Sequence, residues 1–116
     1  MALVLTVSST YGASYYCDPS TGSMSNPGTL DEPWSTLQEV FDADKTFSDG
    51  DVIYLRAGKH GFPTIKGSHA SDVTITRYDD EVPVFDRVEF SSGASHWVLD
   101  NVQVHASYAP PDPPIL

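Results

Sequence analysis

Short stretches of β-forming residues recur along most of this chain at a nearly constant spacing. Ile53 and Ile75 lie 22 residues apart in two such stretches, and a third begins at Trp97 after a similar interval. Ile65 and Phe85, in the segments between them, are 20 residues apart. Self-similarity at this period indicates a solenoid, in which each repeat buries its apolar face against the next.

Five strands are predicted after residue 50, each bounded by turn-forming Gly, Ser, Asp or Pro. They are Asp51–Arg56, Phe62–Lys66, Val73–Arg77, Val84–Phe90 and Trp97–Val104. A β-sandwich also has strands every 8–12 residues or so, and spacing alone barely separates it from a solenoid.

The segment that precedes these strands has a different character. A short apolar run, Tyr15–Cys17, leads into Asp18–Leu30, which is dense in turn residues. Four apolar residues then recur at three- and four-residue spacing, which predicts an amphipathic helix of about ten residues: Trp34, Leu37, Val40 and Phe41. Because a solenoid exposes its core at each end, a helix just before the first repeat is suited to cap it.

Composition excludes some classes of partner. The 116 residues make one domain, and a net charge of −10 argues against nucleic acid or an anionic membrane as the main partner. No apolar run reaches the length of a membrane-spanning helix. The single cysteine, Cys17, is expected to pack as a small hydrophobic residue. The N-terminus lacks the positive charge of a signal peptide, and Ala2–Ser8 is predicted to form a strand.

Several short motifs resemble the opening of right-handed parallel β-helix proteins. The order "YYCDPSTGSMSNPGTLDEPWSTLQEVF … GDVIYLRAGKHGFPTIKG … DVTITRYDDEVPVFD … SHWVLDNVQV" is similar to the N-terminal region of the polysaccharide-lyase group that includes alginate lyases and chondroitinase B. The matching positions are Asn26–Thr29, Pro33–Trp34, Thr36–Gln38 and Gly50–Gly58, and the resemblance extends over residues 15–104.

This resemblance implies an all-β fold, a short right-handed single-stranded parallel β-helix of about two to three coils with an N-terminal amphipathic capping helix. The single domain divides into an extra strand (1–14), a strand, loop and capping helix (15–45), β-coils (51–104) and a Pro-rich tail (105–116). We expect the coils to end abruptly at that tail, since four prolines cannot continue a central strand.

An open end would expose strand edges and apolar core, so self-association as a dimer or trimer is expected. The strand Ala2–Ser8 and the tail Tyr108–Leu116 would contribute to that contact. The alternative, compatible with this, is a truncated remnant of a longer protein. The resemblance favours an extracellular or virion-associated location.

Function divides into two hypotheses. The first is a non-catalytic module that assembles with other copies or binds a glycan, with an anionic polysaccharide as the candidate partner. The second is a uronate lyase whose groove is completed by oligomerisation. The resembled lyases use a Lys base, an Arg acid and often calcium, which lie on the middle coils of their β-helices. We do not expect such middle coils in this chain, so no catalytic residue is carried over. The candidate glycan-binding residues are Tyr54, Arg56, Lys66, Arg77 and Tyr78.

Two of these candidates end strands that look equivalent. Arg56 and Arg77 lie 21 residues apart and could stack on neighbouring rungs as a cationic ladder that holds a uronate. The alternative is that they are solubilising charges that flank the strands and pair with Asp79, Asp80 or Asp86. No cofactor is expected, and the alternative of a calcium site rests on Asp79, Asp80 and Asp86. The four histidines form no zinc motif, and we expect them to be ordinary surface or satisfied residues.

Overall fold

The computed structural model of the protein describes residues 12–104. In this range the chain forms nine short strands and one short helix, which confirms the all-β class. The predicted strand Ala2–Ser8 and the tail Tyr108–Leu116 lie outside the described residues.

The strands are arranged in three parallel sheets. The strands are β1 Ser14–Cys17, β2 Val52–Leu55, β3 Gly58–Lys59, β4 Thr64–Ile65, β5 Ser68–Arg77, β6 Pro83–Phe85, β7 Glu89–Phe90, β8 Ser95–Asp100 and β9 Gln103–Val104. The first sheet has the order β1-β2-β5-β8, the second β3-β6-β9 and the third β4-β7.

Every ladder between the named strands of residues 12–104 is parallel. Ile53 pairs with Ile75 and Ile75 with Leu99 in the first sheet, and Ile65 pairs with Phe90 in the third. The sandwich alternative is therefore wrong for this part of the chain, because its sheets are antiparallel.

Alternation along each strand places one set of side chains in the core. In β2, Ile53 and Leu55 are fully buried, while Val52 and Tyr54 between them are half-buried. This follows from the two-residue period of a strand, which sends successive side chains to opposite faces. Leucine, isoleucine and phenylalanine from all three sheets share one core with residues of the helix.

Two predicted strands are each divided in the structure. The segment Val84–Phe90 is split into β6 and β7, and Trp97–Val104 into β8 and β9. Asn101, between β8 and β9, has a positive φ of 55°, which lies outside the β region, and the second break falls at this residue. Strand β3 was not predicted, because its two residues, Gly58 and Lys59, have little β propensity.

A capping helix of about ten residues is not found in residues 12–104. The helix α1 spans only Leu37–Asp42, and Thr36 is its N-cap. It begins late because Trp34 is held in extended conformation by a parallel bridge to Cys17. Leu37, Val40 and Phe41 are buried, so the predicted apolar face exists on a shorter element.

The loop after β1 covers the outer edge of that strand, a role that the sequence suggested for a helix. Tyr16 donates its backbone N–H to Gly28 O and accepts from Trp34 N, and Asp18 N donates to Trp34 O. These bonds satisfy an edge that would otherwise present unpaired backbone groups. Gly28 has a φ of 89°, and a Cβ there would lie 2.7 Å from the Trp34 ring, so the loop requires glycine at this position.

Candidate functional site

Three tyrosines pack against one another on the outward face of the first sheet. Tyr16 and Tyr54 are partners in the register of β1 and β2, and their rings stack with centroids 5.2 Å apart. Tyr78, just after β5, lies edge-on to both, at 5.9 Å from Tyr16 and 6.4 Å from Tyr54. All three side chains are half-buried. We name Tyr16, Tyr54 and Tyr78 the tyrosine row.

Arg56 joins this row through Tyr78 and is neutralised by a carboxylate. Its guanidinium lies over the Tyr78 ring at 4.7 Å. It also forms a bidentate pair with Glu81, with Nε to Oε1 at 2.9 Å and Nη2 to Oε2 at 2.9 Å. The hydrogen bond from Arg56 lowers the pKa of Glu81, and the same bond raises the pKa of Arg56. This confirms the hypothesis that Arg56 is paired with a carboxylate, although Glu81 was not the residue named.

The predicted cationic ladder of Arg56 and Arg77 is wrong by one residue. Arg77 is the register partner of Leu55, and the residue beside Arg56 is Tyr78, whose N–H donates to Leu55 O. Adjacent positions on a strand face opposite ways, so the two guanidinium groups do not stack as equivalent side chains. Arg77 instead lines a small cavity of about 200 Å³ together with Glu81, Val82, Asn101 and Val102.

A second carboxylate stabilises the loop beside the tyrosine row. Asp18 accepts hydrogen bonds from Ser20 N at 2.9 Å and from the Thr21 hydroxyl at 2.8 Å. Burial raises the pKa of Asp18, but these hydrogen bonds and the nearby Arg56 outweigh it, and the net effect is a lowered pKa. The Asp18 carboxylate is therefore ionised at neutral pH. Its negative charge attracts the Arg56 guanidinium, which Glu81 also binds.

Lys66 lies in a different place from the other candidates. Its ammonium pairs with the carboxylate of Asp44, next to a cavity of about 420 Å³. The cavity lies between the segment 44–47, which follows the helix, and the segment 66–69, which contains the turn after β4 and the first two residues of β5. Its volume is in the range of small-molecule sites.

A buried histidine in the wall of this cavity has an unsatisfied nitrogen. The His69 side chain is 8% exposed, and its Nε2 has no hydrogen-bond partner among the described residues. Its other nitrogen, Nδ1, is 3.7 Å from Asp49 Oδ1. Leaving a buried polar atom unpaired costs about 1–3 kcal/mol, so an unpaired atom of this kind requires an explanation.

Phe47, in the same wall, joins the cavity to the core. Its ring makes edge or tilted contacts with Trp34, Phe41 and Trp97, with centroids about 6 Å apart. Neither Phe47 nor His69 was singled out from the sequence. Both lie in stretches without periodicity, and only the packing of the segment 44–47 onto the sheets brings them together.

The calcium candidates are not gathered by the fold. Asp79 and Asp80 are exposed in the turn after β5, with Asp79 at a φ of 53°, and Asp86 is half-buried after β6. In the described range 12–104, no group of three or more His, Cys, Asp or Glu side chains could hold a metal ion. The calcium hypothesis gains no support from this arrangement.

Two further expectations concern Cys17 and the membrane. Cys17 is fully buried, as expected, and burial raises the pKa of its thiol, so the thiolate is disfavoured. Within residues 12–104, no helix is long and apolar enough to cross a bilayer.

Comparison of the chain with protein-family models, with curated proteins and with solved structures found no match in any of the three. Arguments about function therefore rest on the geometry of the tyrosine row and of the cavity beside Lys66.

Proposed function

We propose that this chain is a non-catalytic glycan-binding module, built as a short right-handed parallel β-helix of two to three coils. The strands β2–β4, β5–β7 and β8–β9 each supply the sheets in the same order, which supports a coiled path. Crossovers between parallel strands are right-handed in nearly all known sheets, which supports the handedness.

The tyrosine row is the observation that carries the glycan proposal. Aromatic side chains that combine an apolar ring with a hydroxyl suit sugars, which present both C–H faces and hydroxyl groups. The three side chains are half-buried, so their positions are fixed by packing while part of each remains accessible. A rigid surface loses little conformational entropy on binding, which favours recognition of a weakly interacting ligand.

The placement of the cations favours binding over catalysis. A uronate lyase of the resembled kind needs a base and a cation around one sugar. Here Arg56 is paired with Glu81, and Lys66 and Arg77 line two different cavities. The lyase alternative therefore requires a second copy of the chain to bring the missing group to Arg77.

Binding to a panel of immobilised glycans tests this proposal. The panel contains neutral polysaccharides together with alginate and chondroitin sulfate as anionic ones. Tyr54→Ala should weaken binding about tenfold, the equivalent of about 1.4 kcal/mol. Val52→Ala is the matched control, because Val52 is half-buried on the same strand but in the adjacent row. Equal binding by the two variants, or no binding to any glycan by the unmodified chain, would overturn the proposal.

The lyase alternative has its own readout. Cleavage of a uronate polymer produces an unsaturated sugar that absorbs ultraviolet light. Activity that is lost in Arg77→Ala would establish the alternative and exclude a purely binding role. No absorbance change with any uronate polymer, at concentrations where binding is seen, would favour the binding module.

Self-association remains part of the proposal. Strands β7, β8 and β9 lie at the ends of their sheets in the described residues, and Phe90 and Val104 in these strands are 51% and 55% exposed. An edge with exposed apolar side chains favours association with a second copy. Light scattering on a sizing column should give a dimer or trimer, whereas a monomer would contradict the proposal.

A further inference from the structure

The register of the first sheet continues the tyrosine row onto polar residues of the next two strands. Tyr54 of β2 is the partner of Tyr16 in β1 on one side and of Thr76 in β5 on the other. Thr76 is in turn the partner of Asp100 in β8. Partners in neighbouring parallel strands point to the same face, and the strands are about 4.8 Å apart, so Tyr54 and Asp100 lie about 10 Å from each other along this face.

Asp100 gives the polar end of this face a negative charge that the described residues do not compensate. It is exposed, and its Oδ2 accepts hydrogen bonds from the Asn101 amide at 3.0 Å and from the Thr76 hydroxyl at 3.4 Å. Both donors are neutral, and no Lys, Arg or His forms an ion pair with Asp100 within residues 12–104. The carboxylate can therefore pair with a cation that comes from a ligand.

Two arginines near this face do not offset that charge. Arg56 is held in a bidentate pair with Glu81, and Asp18 places a second negative charge beside it. Arg77 follows Thr76 in β5 and so faces the opposite way. Because like charges repel and opposite charges attract, the outward face disfavours a uronate at Asp100 and favours a sugar that carries a positive charge.

We propose that the outward face of the first sheet binds an amino-sugar polymer of the glucosamine type, with one ring against Tyr54 and the ammonium group of another sugar of the same polymer at Asp100. This inference rests on the glycan-binding function proposed above and names the class of glycan. An amino sugar combines an apolar C–H face and hydroxyl groups with a positive charge, which matches the aromatic and acidic parts of this face. The N-acetylated polymer keeps the rings and the hydroxyls but carries no charge.

Calorimetric titration of the full chain with three oligosaccharides of equal length tests the inference. The probes are the hexamers of glucosamine, of N-acetylglucosamine and of a uronic acid, at about pH 6, where the carboxylates are ionised and most glucosamine amines are charged. We expect the glucosamine hexamer to bind about threefold to fivefold more tightly than the N-acetylated one, and the uronic acid hexamer to bind most weakly. Added salt should reduce these differences, because it screens exposed charges.

Two substitutions that change the net charge equally separate a contact at Asp100 from general attraction to an acidic protein. Asp100→Asn removes the charge but keeps the shape of the side chain. It should weaken binding of the glucosamine hexamer about threefold to fivefold and leave the N-acetylated hexamer unaffected. Asp42→Asn is the matched control and should change neither affinity, because Asp42 is exposed at the end of α1, which packs against β4 of the third sheet.

The outcomes distinguish this inference from the glycan-binding function itself. Tyr54→Ala should weaken the glucosamine and N-acetylated hexamers alike, because both place a ring against the tyrosine. The amino-sugar inference fails, and the binding function stands, if the unmodified chain binds these two hexamers equally well. It also fails if Asp100→Asn and Asp42→Asn have the same effect on the glucosamine hexamer. An absence of binding to all three hexamers and to the glycan panel would overturn both proposals.

Discussion

At the scale of single residues, His60 is the side chain that most directly connects separate parts of the chain. It is fully buried, and its Nδ1 accepts a hydrogen bond from Leu37 N at 3.2 Å. Its Nε2 is 2.8 Å from Arg56 O, which can only accept, so the proton of the neutral ring lies on Nε2. The sequence analysis expected an ordinary satisfied histidine, but it did not identify these two partners.

His60 should make the stability of the chain depend on pH near neutrality. Burial lowers the pKa of His60, although the hydrogen bond to Arg56 O and the nearby Asp18 oppose this. The unfolded chain therefore binds a proton more readily, at the ordinary histidine pKa of about 6.5. The contribution of neutral His60 to the free energy of unfolding is therefore complete above that pH, and it is lost as the pH is lowered through it.

Urea unfolding at pH 7.5 and pH 5.5 measures this effect, since both values lie above the ordinary range of the carboxylates. His60→Gln should unfold more easily at pH 7.5, by about 1–3 kcal/mol, because it disturbs a buried hydrogen-bonded group. It should also lose less stability than the unmodified chain between the two pH values. An equal loss on acidification in both proteins would show that other groups cause the pH dependence.

At the scale of elements, α1 shows how a six-residue helix is stabilised. The Thr36 hydroxyl accepts from Glu39 N at 3.1 Å, and a Glu39 carboxylate oxygen accepts from Thr36 N at 3.3 Å. This capping box satisfies backbone donors at the helix start, and hydrogen bonds from Ser35 and Thr36 lower the pKa of Glu39. A helix this short does not persist alone, so burial of Leu37, Val40 and Phe41 supplies the rest.

Removal of the cap should have a measurable cost. Thr36→Ala deletes the hydroxyl and should lower the free energy of unfolding by about 1 kcal/mol. Thr36→Ser keeps a hydroxyl and should stay close to the unmodified chain. Thr46→Ala is the control for loss of an exposed threonine outside a helix. Equal midpoints for Thr36→Ala and Thr36→Ser in urea would show that the cap contributes little.

At the scale of the whole molecule, the register of the first sheet builds the core. Ile75 lies in the middle of a row of apolar residues, with Ile53 as its partner on one side and Leu99 on the other. It is 1% exposed, whereas its neighbour Thr74 is half-buried on the opposite face. The adjacent repeats depend on each other because each row of the core is shared between them.

A cavity in the middle repeat should therefore destabilise the whole chain. Ile75→Ala should lower the free energy of unfolding by about 2–5 kcal/mol, and Ile75→Val by about 0.5–1.5 kcal/mol. The matched control is Thr74→Ala, which removes a side chain from the outward face and should cost about 1 kcal/mol or less. Urea denaturation followed by tryptophan fluorescence would give these values, and an equal cost for Ile75→Ala and Thr74→Ala would contradict the assignment of faces.

The sequence by itself determined the features that depend on local pattern. The β-forming run in "DVIYLR" predicted the strand β2, and the spacing of Leu37, Val40 and Phe41 predicted the buried face of the helix. The 22-residue interval between Ile53 and Ile75 predicted that these residues are related, and the register confirms it. Each of these features depends on the residue pattern within one helix or strand, or on the recurrence of the same strand pattern in the next repeat.

Only the tertiary structure decided the candidate sites, because they depend on how repeats of unequal loop length align. The register of β2 and β5 differs by one residue from the one that would pair Arg56 with Arg77, so Arg77 lies opposite Leu55. Arg56 instead forms its ion pair with Glu81, 25 positions away in the sequence. The cavity at His69 exists because the segment 44–47 packs over the segment 66–69. The free energy of such contacts depends on three-dimensional distance, which a single sequence does not encode in its local pattern.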